Sequence, residues 1–397
     1  MIESKNDVYV MAAARTAIGS FGGGLKDQSP ADLGEHVTRV ALERAGVPAE
    51  DVQSNVVGHV IRTVTRDAYI SRRIALQAGL PVSTQSLTLN RLCGSGLEAI
   101  VFATQQLQLG EVDVAVAGGA ESMSQSGHLL TTNRWGQRMG DVTMLDELTG
   151  VLSDPFSGSH MGITAENLAE KYNISREEQD DFALQSQQRA AAAIENGYFK
   201  EQITPYEVKT RKGSVMFDTD EFVRGDTTLE GLGKLRPAFK KEAGTVTAGN
   251  ASGINDGAAM VVLASAEKAY SFGGKPMAKI ISYGRAGVSP DIMGIGPVGA
   301  SKTALARAGL SVDQIDVIES NEAFAAQALS VSKELGFPSD KTNPNGGAIA
   351  LGHPIGASGA VIFTKALYEL HRVGGRYALI TLCIGGGQGI AAIIERV

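Results

Sequence analysis

The sequence predicts an α/β protein in which one unit is used twice, the first copy carrying a long insertion. Three observations support this. Ala41-Leu42-Glu43-Arg44-Ala45-Gly46-Val47 returns as Ala304-Leu305-Ala306-Arg307-Ala308-Gly309-Leu310, an offset of 263 (304 − 41). The same offset lays Ser95-Gly96 on Ser358-Gly359, Ala103 on Ala366, Leu107 on Leu370 and Ala115 on Ala378. Near-continuous apolar runs such as Val114 to Ala117 and Tyr377 to Leu382 fit strands covered by helices on both faces. The stretch 122–248 has no counterpart in the second copy and fits an inserted loop domain. Two related halves of this kind are expected to pack through helices between them.

The elements follow in order. Asp7 to Ala13 opens the first copy as a strand, and Lys279 to Tyr283 opens the second. Ser29-Pro30 starts a helix that buries Leu33, Val37, Val40 and Ala41 and stops at Gly46. Ser83 to Asn90 is β-prone, and a helical pattern (Leu97, Ile100, Val101, Thr104, Leu107) follows it. Each copy is thus expected to run helix, strand, strand, turn, helix, strand. In the insertion, Ser175-Arg176-Glu177-Glu178 is a capping box for a helix reaching about Asn196. Arg211-Lys212-Gly213 and Val223-Arg224-Gly225-Asp226 are loop-like, and the first copy resumes at Gly249 with a strand from Ala258 to Leu263. Phe272-Gly273-Gly274-Lys275-Pro276 separates the halves. The expected division is 1–121 plus 249–272, the insertion 122–248, and 273–397.

Composition excludes several function classes. Net charge is −7 with no basic run, which argues against nucleic acid as a partner. No apolar run approaches the roughly 20 residues that span a bilayer, so no membrane role is expected. Met1 to Asp7 lacks the apolar core and the arginines of a targeting segment. With only two cysteines, 290 positions apart (383 − 93), this points to a reducing, cytoplasmic compartment. No metal motif is present, neither paired Cys/His spacings nor an EF-hand loop.

Candidate chemistry lies in glycine-dense turns. Cys93, in Asn90-Arg91-Leu92-Cys93-Gly94-Ser95-Gly96, sits between a strand end and a helix start. There the positive helix end favours thiolate over thiol; the plainer alternative is a small residue buried in a tight turn. At the offset of 263, Asn90 lies over His353 and Cys93 over Gly356. Gly352-His353-Pro354 therefore occupies, in the second copy, the place of the cysteine turn, and a local two-fold would let both face one crevice. A neutral imidazole there could take the thiol proton; most lone histidines are structural. Cys383 follows an apolar strand and precedes Ile384-Gly385-Gly386-Gly387. It is either an inert buried thiol or a proton shuttle beside N–H groups able to hold an oxyanion. Asn321, in Asn321-Glu322-Ala323-Phe324, has the spacing of a helix N-cap, or its amide could hold a water or carbonyl oxygen. Glu322, if buried, needs a partner the sequence does not name.

Together these blocks resemble the thiolase family over nearly the whole chain. Cys93-Gly94-Ser95-Gly96, Asn321-Glu322-Ala323-Phe324, Gly352-His353-Pro354 and Cys383-Ile384-Gly385-Gly386-Gly387 look like its signature blocks in family order. Arg15 to Gly19, Gly118 to Met123, His160-Met161-Gly162 and Ala248 to Gly253 fit as well. The similarity is greatest to the bacterial β-ketothiolase and acetyl-CoA acetyltransferase branch. The resemblance implies the thiolase-like fold: two duplicated mixed-sheet halves packed as αβαβα layers with an inserted loop domain. It implies reversible acyl transfer between CoA thioesters, with short-chain substrates and no cofactor beyond those thioesters. Cys93 would carry the acyl group, His353 would activate it, and Cys383 would move the α-proton. His353 and a water on Asn321 would hold the enolate oxygen, and the N–H groups of Cys93 and Gly385 the acyl oxyanion. Acyl-CoA and CoA would lie against Arg224, Ser252, His160, Met161, Phe324, Leu152 and Phe239. The resemblance also implies a homo-oligomer, dimer or tetramer, with Gln125 to Gly140 and Trp135 as the tetramer loop. Gly225 and Gly231 stand where some relatives carry side chains near the nucleotide, and Arg91-Leu92 departs from many acetoacetyl-specific members.

Three rival readings are weaker. Gly94-Ser95-Gly96-Leu97-Glu98-Ala99 fits a dinucleotide fingerprint, but the acid expected to end the next strand is only Glu121, which comes late. A binding protein that had lost activity should lack Cys93, His353 or Cys383, and all three are present. Condensing enzymes of fatty-acid type lack the second cysteine, which Cys383 supplies.

Overall fold

The computed structural model describes residues 7–211, 213–272 and 274–397. Met1–Asn6, Lys212 and Gly273, which bear on the targeting, loop and boundary expectations, lie outside it. In the first half, β1 (Val8–Arg15) leads to α1 (Pro30–Ala45), β2 (Ser54–Gly58), α2 (Ile70–Gln77), β3 (Gln85–Leu89), α3 (Ser95–Leu109) and β4 (Val114–Ser122). The chain then leaves the half through α4 (Met161–Lys171), α5 (Arg176–Glu195) and a hairpin of β5 (Tyr206–Thr210) and β6 (Gly213–Phe217). It returns as β7 (Asn255–Ser265). The second half is β8 (Ala278–Gly287), α6 (Gly296–Ala308), β9 (Val317–Ser320), α7 (Ala325–Leu335), α8 (Ala348–Leu351), α9 (Ile355–Arg372), β10 (Tyr377–Ile384) and β11 (Gln388–Arg396).

The strands lie in the order β9-β10-β11-β8-β1-β7-β4-β2-β3. β2 runs parallel to β3 and β4, and β9 parallel to β10; the other pairs are antiparallel. The halves join along β1 and β8 through only three residue pairs, from Val8–Ile280 to Val10–Ala278. Strand alternation sends Val114 and Val116 to one core, with Leu33, Val37, Ile70 and Ile74 of the outer helices α1 and α2. It sends Ala115 and Ala117 to another, with Leu97 and Ile100 of α3 and Ala360, Phe363 and Leu367 of α9. α6 and α7 cover the outer face of the second half through Ala300, Ala304 and Val331, against Leu379 and Ile393. The layers are thus helix, sheet, helix pair, sheet, helix.

The central pair explains the repeated Ser-Gly. A Cβ on Gly96 would sit 2.7 Å from Ala360 N, and one on Gly359 would run into the backbone of Leu97. The two glycines, one offset apart, let α3 and α9 cross at backbone contact. The capping box is present, with Ser175 Oγ accepting from Glu178 N and a carboxylate oxygen of Glu178 from Ser175 N. α1 starts with Pro30 after Ser29, whose side chain makes no cap bond, and ends at Gly46 in the left-handed conformation (φ 61°).

One expectation fails. The offset maps β3 onto 348–352, yet the second copy has the short helix α8 there, and Thr342 takes the parallel bridge to Ile318 instead. Ala348-Ile349-Ala350-Leu351 offers no polar–apolar alternation. Its N-terminal amides are tied elsewhere, Gly347 N to Ser186 Oγ of α5 and Ile349 N to Glu322.

Candidate active site

The cysteine turn is built by its neighbours. Asn90 Oδ1 accepts from Leu92 N (2.9 Å), while Ser95 Oγ accepts from Arg91 N (2.8 Å) and donates to Leu92 O (2.7 Å). Leu92 is held at φ 48°, a conformation disfavoured for side chains with a Cβ. A Cβ on Gly94 would displace the Ile384 side chain of β10. Cys93 ends half-buried, with the Gly385 N–H beside its sulfur. Gly385 begins the turn from β10 to β11, where Gly386 and Gly387 have φ 79° and 87°.

Cys383 is fully buried in β10, among Met161, Ala323 and Phe324. Burial raises its thiol pKa, and the neighbouring Cys93 sulfur raises it further. The structure thus brings Cys93, Cys383 and Gly385 together across the two halves. Burial also pushes the Cys93 thiol up to about 11, against a small lowering from the Gly385 N–H. Against the expected thiolate, burial favours the neutral thiol, because loss of water outweighs the nearby backbone N–H groups.

His353 opens the approach to α9. Asn255 Oδ1 accepts from His353 N (2.8 Å), and His353 Nδ1 lies 2.6 Å from Ser358 Oγ. The single hydroxyl proton of Ser358 goes to Pro354 O (2.8 Å). With that proton on Pro354 O, Ser358 accepts from Nδ1–H and Nε2 carries the lone pair. Nε2 is buried with no partner, and burial lowers the imidazole to about 4. His353 is a neutral base with its acceptor nitrogen free.

Asn321 is not a helix cap: Phe324 holds that position for α7. Its backbone N donates to Thr381 O (3.0 Å), and its side-chain amide is buried with neither atom paired. Glu322 accepts from Ser186 Oγ (2.6 Å), Asn343 Nδ2 (2.8 Å) and Ile349 N (3.3 Å), so it braces the insertion against the second half.

A cavity of about 560 Å3 reaches this region, lined by Leu152, His160, Arg224, Phe239, Ser252, Phe324 and His353. His160 stacks on Phe239 (4.5 Å between centroids), and Phe239 meets Phe324 edge-on. Two wall residues lead to the sulfurs: Ile355 packs in the cluster touching Cys93, and Phe324 in that of Cys383. A second hollow of about 270 Å3 continues past Phe222, Arg224 and Ala248 to Thr227, Thr228 and Gly231. Met161, expected in the channel, packs with Phe239, Phe324 and Cys383, with its methyl beside Gly385. Gly225 is not among the residues lining either hollow.

Sequence reasoning missed the residues that hold these groups. Glu121 accepts from Val60 N, Ile61 N and Gly356 N, and lies 3.2 Å from His59, tying α9 to the first half. Asn255 and Ser358 were missed too. Only Ser358 left a signal, lying within two turns of His353 at the head of a helix.

Comparisons with known proteins agree with this architecture. The thiolase N-terminal domain family matches residues 8–267, and the thiolase C-terminal domain family matches 274–396. The chain belongs to the thiolase family. It is 59% identical to a beta-ketothiolase of Cupriavidus necator, covering 98% of this chain and 99% of that protein. It is 54% identical to an acetyl-CoA acetyltransferase of Chromobacterium violaceum, covering 98% and 100%. The crystal structure of human mitochondrial 3-ketoacyl-CoA thiolase in complex with CoA superimposes with a TM-score of 0.96 at 47% identity, covering 99% and 98%. Among the described residues, no helix is long and apolar enough to cross a membrane.

Proposed function

We propose that this thiolase transfers acyl groups reversibly between CoA thioesters through an S-acyl Cys93. The observation that carries the reading is the pairing of a half-buried Cys93 thiol, beside the Gly385 N–H, with the buried Cys383 thiol, next to a cavity lined by a histidine whose Nε2 is free. In the first half-reaction, His353 Nε2 takes the Cys93 proton as sulfur attacks the thioester carbon. The N–H groups of Cys93 and Gly385 hold the tetrahedral oxyanion, a fixed-dipole contribution worth roughly 3–4 kcal/mol per donor in comparable sites. The oxyanion collapses, the CoA sulfur leaves, and Cys383 gives it a proton.

His353 keeps its proton, so Nε2–H becomes a donor, and Cys383 is left as the thiolate. The thiolate takes an α-proton from acetyl-CoA. The enolate oxygen is held by His353 Nε2–H and a water on the Asn321 amide; the enolate carbon attacks the acyl carbon, the bond to the Cys93 sulfur breaks, and His353 Nε2–H returns its proton to that sulfur. The reverse sequence is thiolysis.

For CoA, the proposed course runs along the insertion 122–248. Arg224 meets the nucleotide end, Ser252 the pantetheine, and His160, Phe239, Phe324 and Leu152 the channel wall, with Met161 packed beside Phe239 and Phe324. We propose domain boundaries at 121/122, 248/249 and 272/273, a short-chain preference set by the aromatic wall of His160, Phe239 and Phe324, and a cytoplasmic location. Trp135, Met139 and Met144, exposed on 128–145, support a homo-oligomer, dimer or tetramer.

The test is intact-protein mass spectrometry after incubation with acetyl-CoA. The native chain gains one acetyl group on the peptide carrying Cys93, and Cys93→Ser gains none. Acetyl on another residue, or none in the native chain, overturns the reading.

A further inference from the structure

The two N–H groups assigned to the acyl oxyanion come from different halves of the molecule, and no nearby covalent link sets their spacing. A side-chain network crosses the gap. Arg91, two residues before Cys93, sends Nη1 to Glu98 Oε2 (2.9 Å) and Nη2 to Gln388 Oε1 (3.1 Å). Glu98, on α3, is gripped a second time by Arg285 of β8, through Nε to Oε2 (3.0 Å) and Nη2 to Oε1. Gln388 is the first residue of β11, directly after the Gly385-Gly386-Gly387 turn, and faces Ile384 across the hairpin. Arg91, itself part of the cysteine turn, is therefore anchored to α3 by one arm and to the end of the glycine turn by the other. Leu92 lies between Arg91 and Cys93 at φ 48°, a conformation that persists only where its surroundings fix it.

We propose that Arg91 is a positioning residue for the acyl-oxyanion pocket, setting the separation of the Cys93 and Gly385 N–H groups through Glu98, Arg285 and Gln388. The proposal rests on the acyltransferase reading above. Arg91 touches no reacting atom. A planar guanidinium reaches two acceptors in fixed directions, which an ammonium does not.

The experiment uses the full chain and the variants Arg91→Gln, Arg91→Lys and Gln388→Ala. Two reactions of Cys93 are compared. Thiolysis of a 3-ketoacyl-CoA passes through an oxyanion; alkylation by iodoacetamide forms a C–S bond without one, and peptide mapping locates it. Arg91→Gln should lower thiolysis kcat roughly 10- to 100-fold, less than the loss of a whole oxyanion donor, with KM and the alkylation rate changed less than about threefold. Arg91→Lys should recover part of the loss. Gln388→Ala should lower kcat, and adding it to Arg91→Gln should cost little more, because the two share one interaction. Should Arg91→Gln fail to fold, Arg91→Lys and Gln388→Ala carry the same comparison. Equal falls in alkylation and thiolysis would show that Arg91 acts on the thiol or on the fold, and a native kcat in the variants would show that it does nothing; either overturns the proposal. Native Cys93 that is never acylated sinks the acyltransferase reading itself, whereas normal acylation with unaffected variants sinks only the role of Arg91.

Discussion

The resting state of the nucleophile can be tested by the pH dependence of its alkylation. Burial holds the Cys93 thiol at about 11 and the His353 imidazole at about 4. Neither group is charged near neutrality, unlike the thiolate–imidazolium pairs of some cysteine enzymes. At about pH 7.5 a thiol titrating at 11 is ionised to roughly 0.03%, about a hundredfold less than one titrating at 9, since each unit is tenfold. The more basic thiolate is intrinsically more reactive, by about eightfold over two units with a Brønsted slope of roughly 0.4–0.5. Cys93 should therefore alkylate roughly tenfold more slowly than a free cysteine. Its logarithmic rate should climb with unit slope from about pH 6 to 9, with no plateau in that window. The assay is single-residue iodoacetamide kinetics followed by peptide mass spectrometry. A rate that is flat between about pH 5 and 9 would mean a preformed ion pair and would refute the desolvation argument.

Three further outcomes follow. Cys383→Ala should still form the acetyl-enzyme but lose exchange of the acetyl-CoA α-protons by about a hundredfold or more, read by deuterium incorporation; native exchange would remove Cys383 from that step. His353 binds its proton more weakly folded (about 4) than unfolded (6.5). Its stability contribution is therefore complete above 6.5 and lost as pH falls through 4, about 3 kcal/mol in all; His353→Asn should remove that part of the acid destabilisation in urea titrations, and an unchanged acid limb would contradict it. Gly359→Ala forces a Cβ into the backbone of Leu97 and should cost about 3 kcal/mol or leave no folded protein, seen by thermal melting; a neutral substitution would mean the central helices can separate freely.

Much of the fold was legible because its causes are local or repetitive. The 263-residue offset survives in Ala41–Val47 and Ala304–Leu310, and strands buried on both faces leave unbroken apolar runs such as Val114 to Ala117. Ser175 and Glu178 announce their helix because a capping box is a four-residue interaction. Cys93, His353 and Cys383 stood out as reactive residues in glycine-dense turns, where a backbone must approach closely. Asn321 was ambiguous because cap spacing and a buried, unpaired amide look alike along the chain.

Most of the order of elements, the two-fold repeat and the identity of the reactive side chains were thus determined by the sequence itself. Tertiary structure alone decided their states. The free lone pair of His353 depends on the proton Ser358 gives to Pro354. The neutral thiol of Cys93 depends on burial between halves that meet 290 residues apart (383 − 93). The helix replacing a strand at Ala348 depends on Ser186 and Glu322 from other segments. Hydrophobic pattern and turn chemistry act over a few residues, whereas desolvation and hydrogen-bond partnership arise only when distant segments have come into contact.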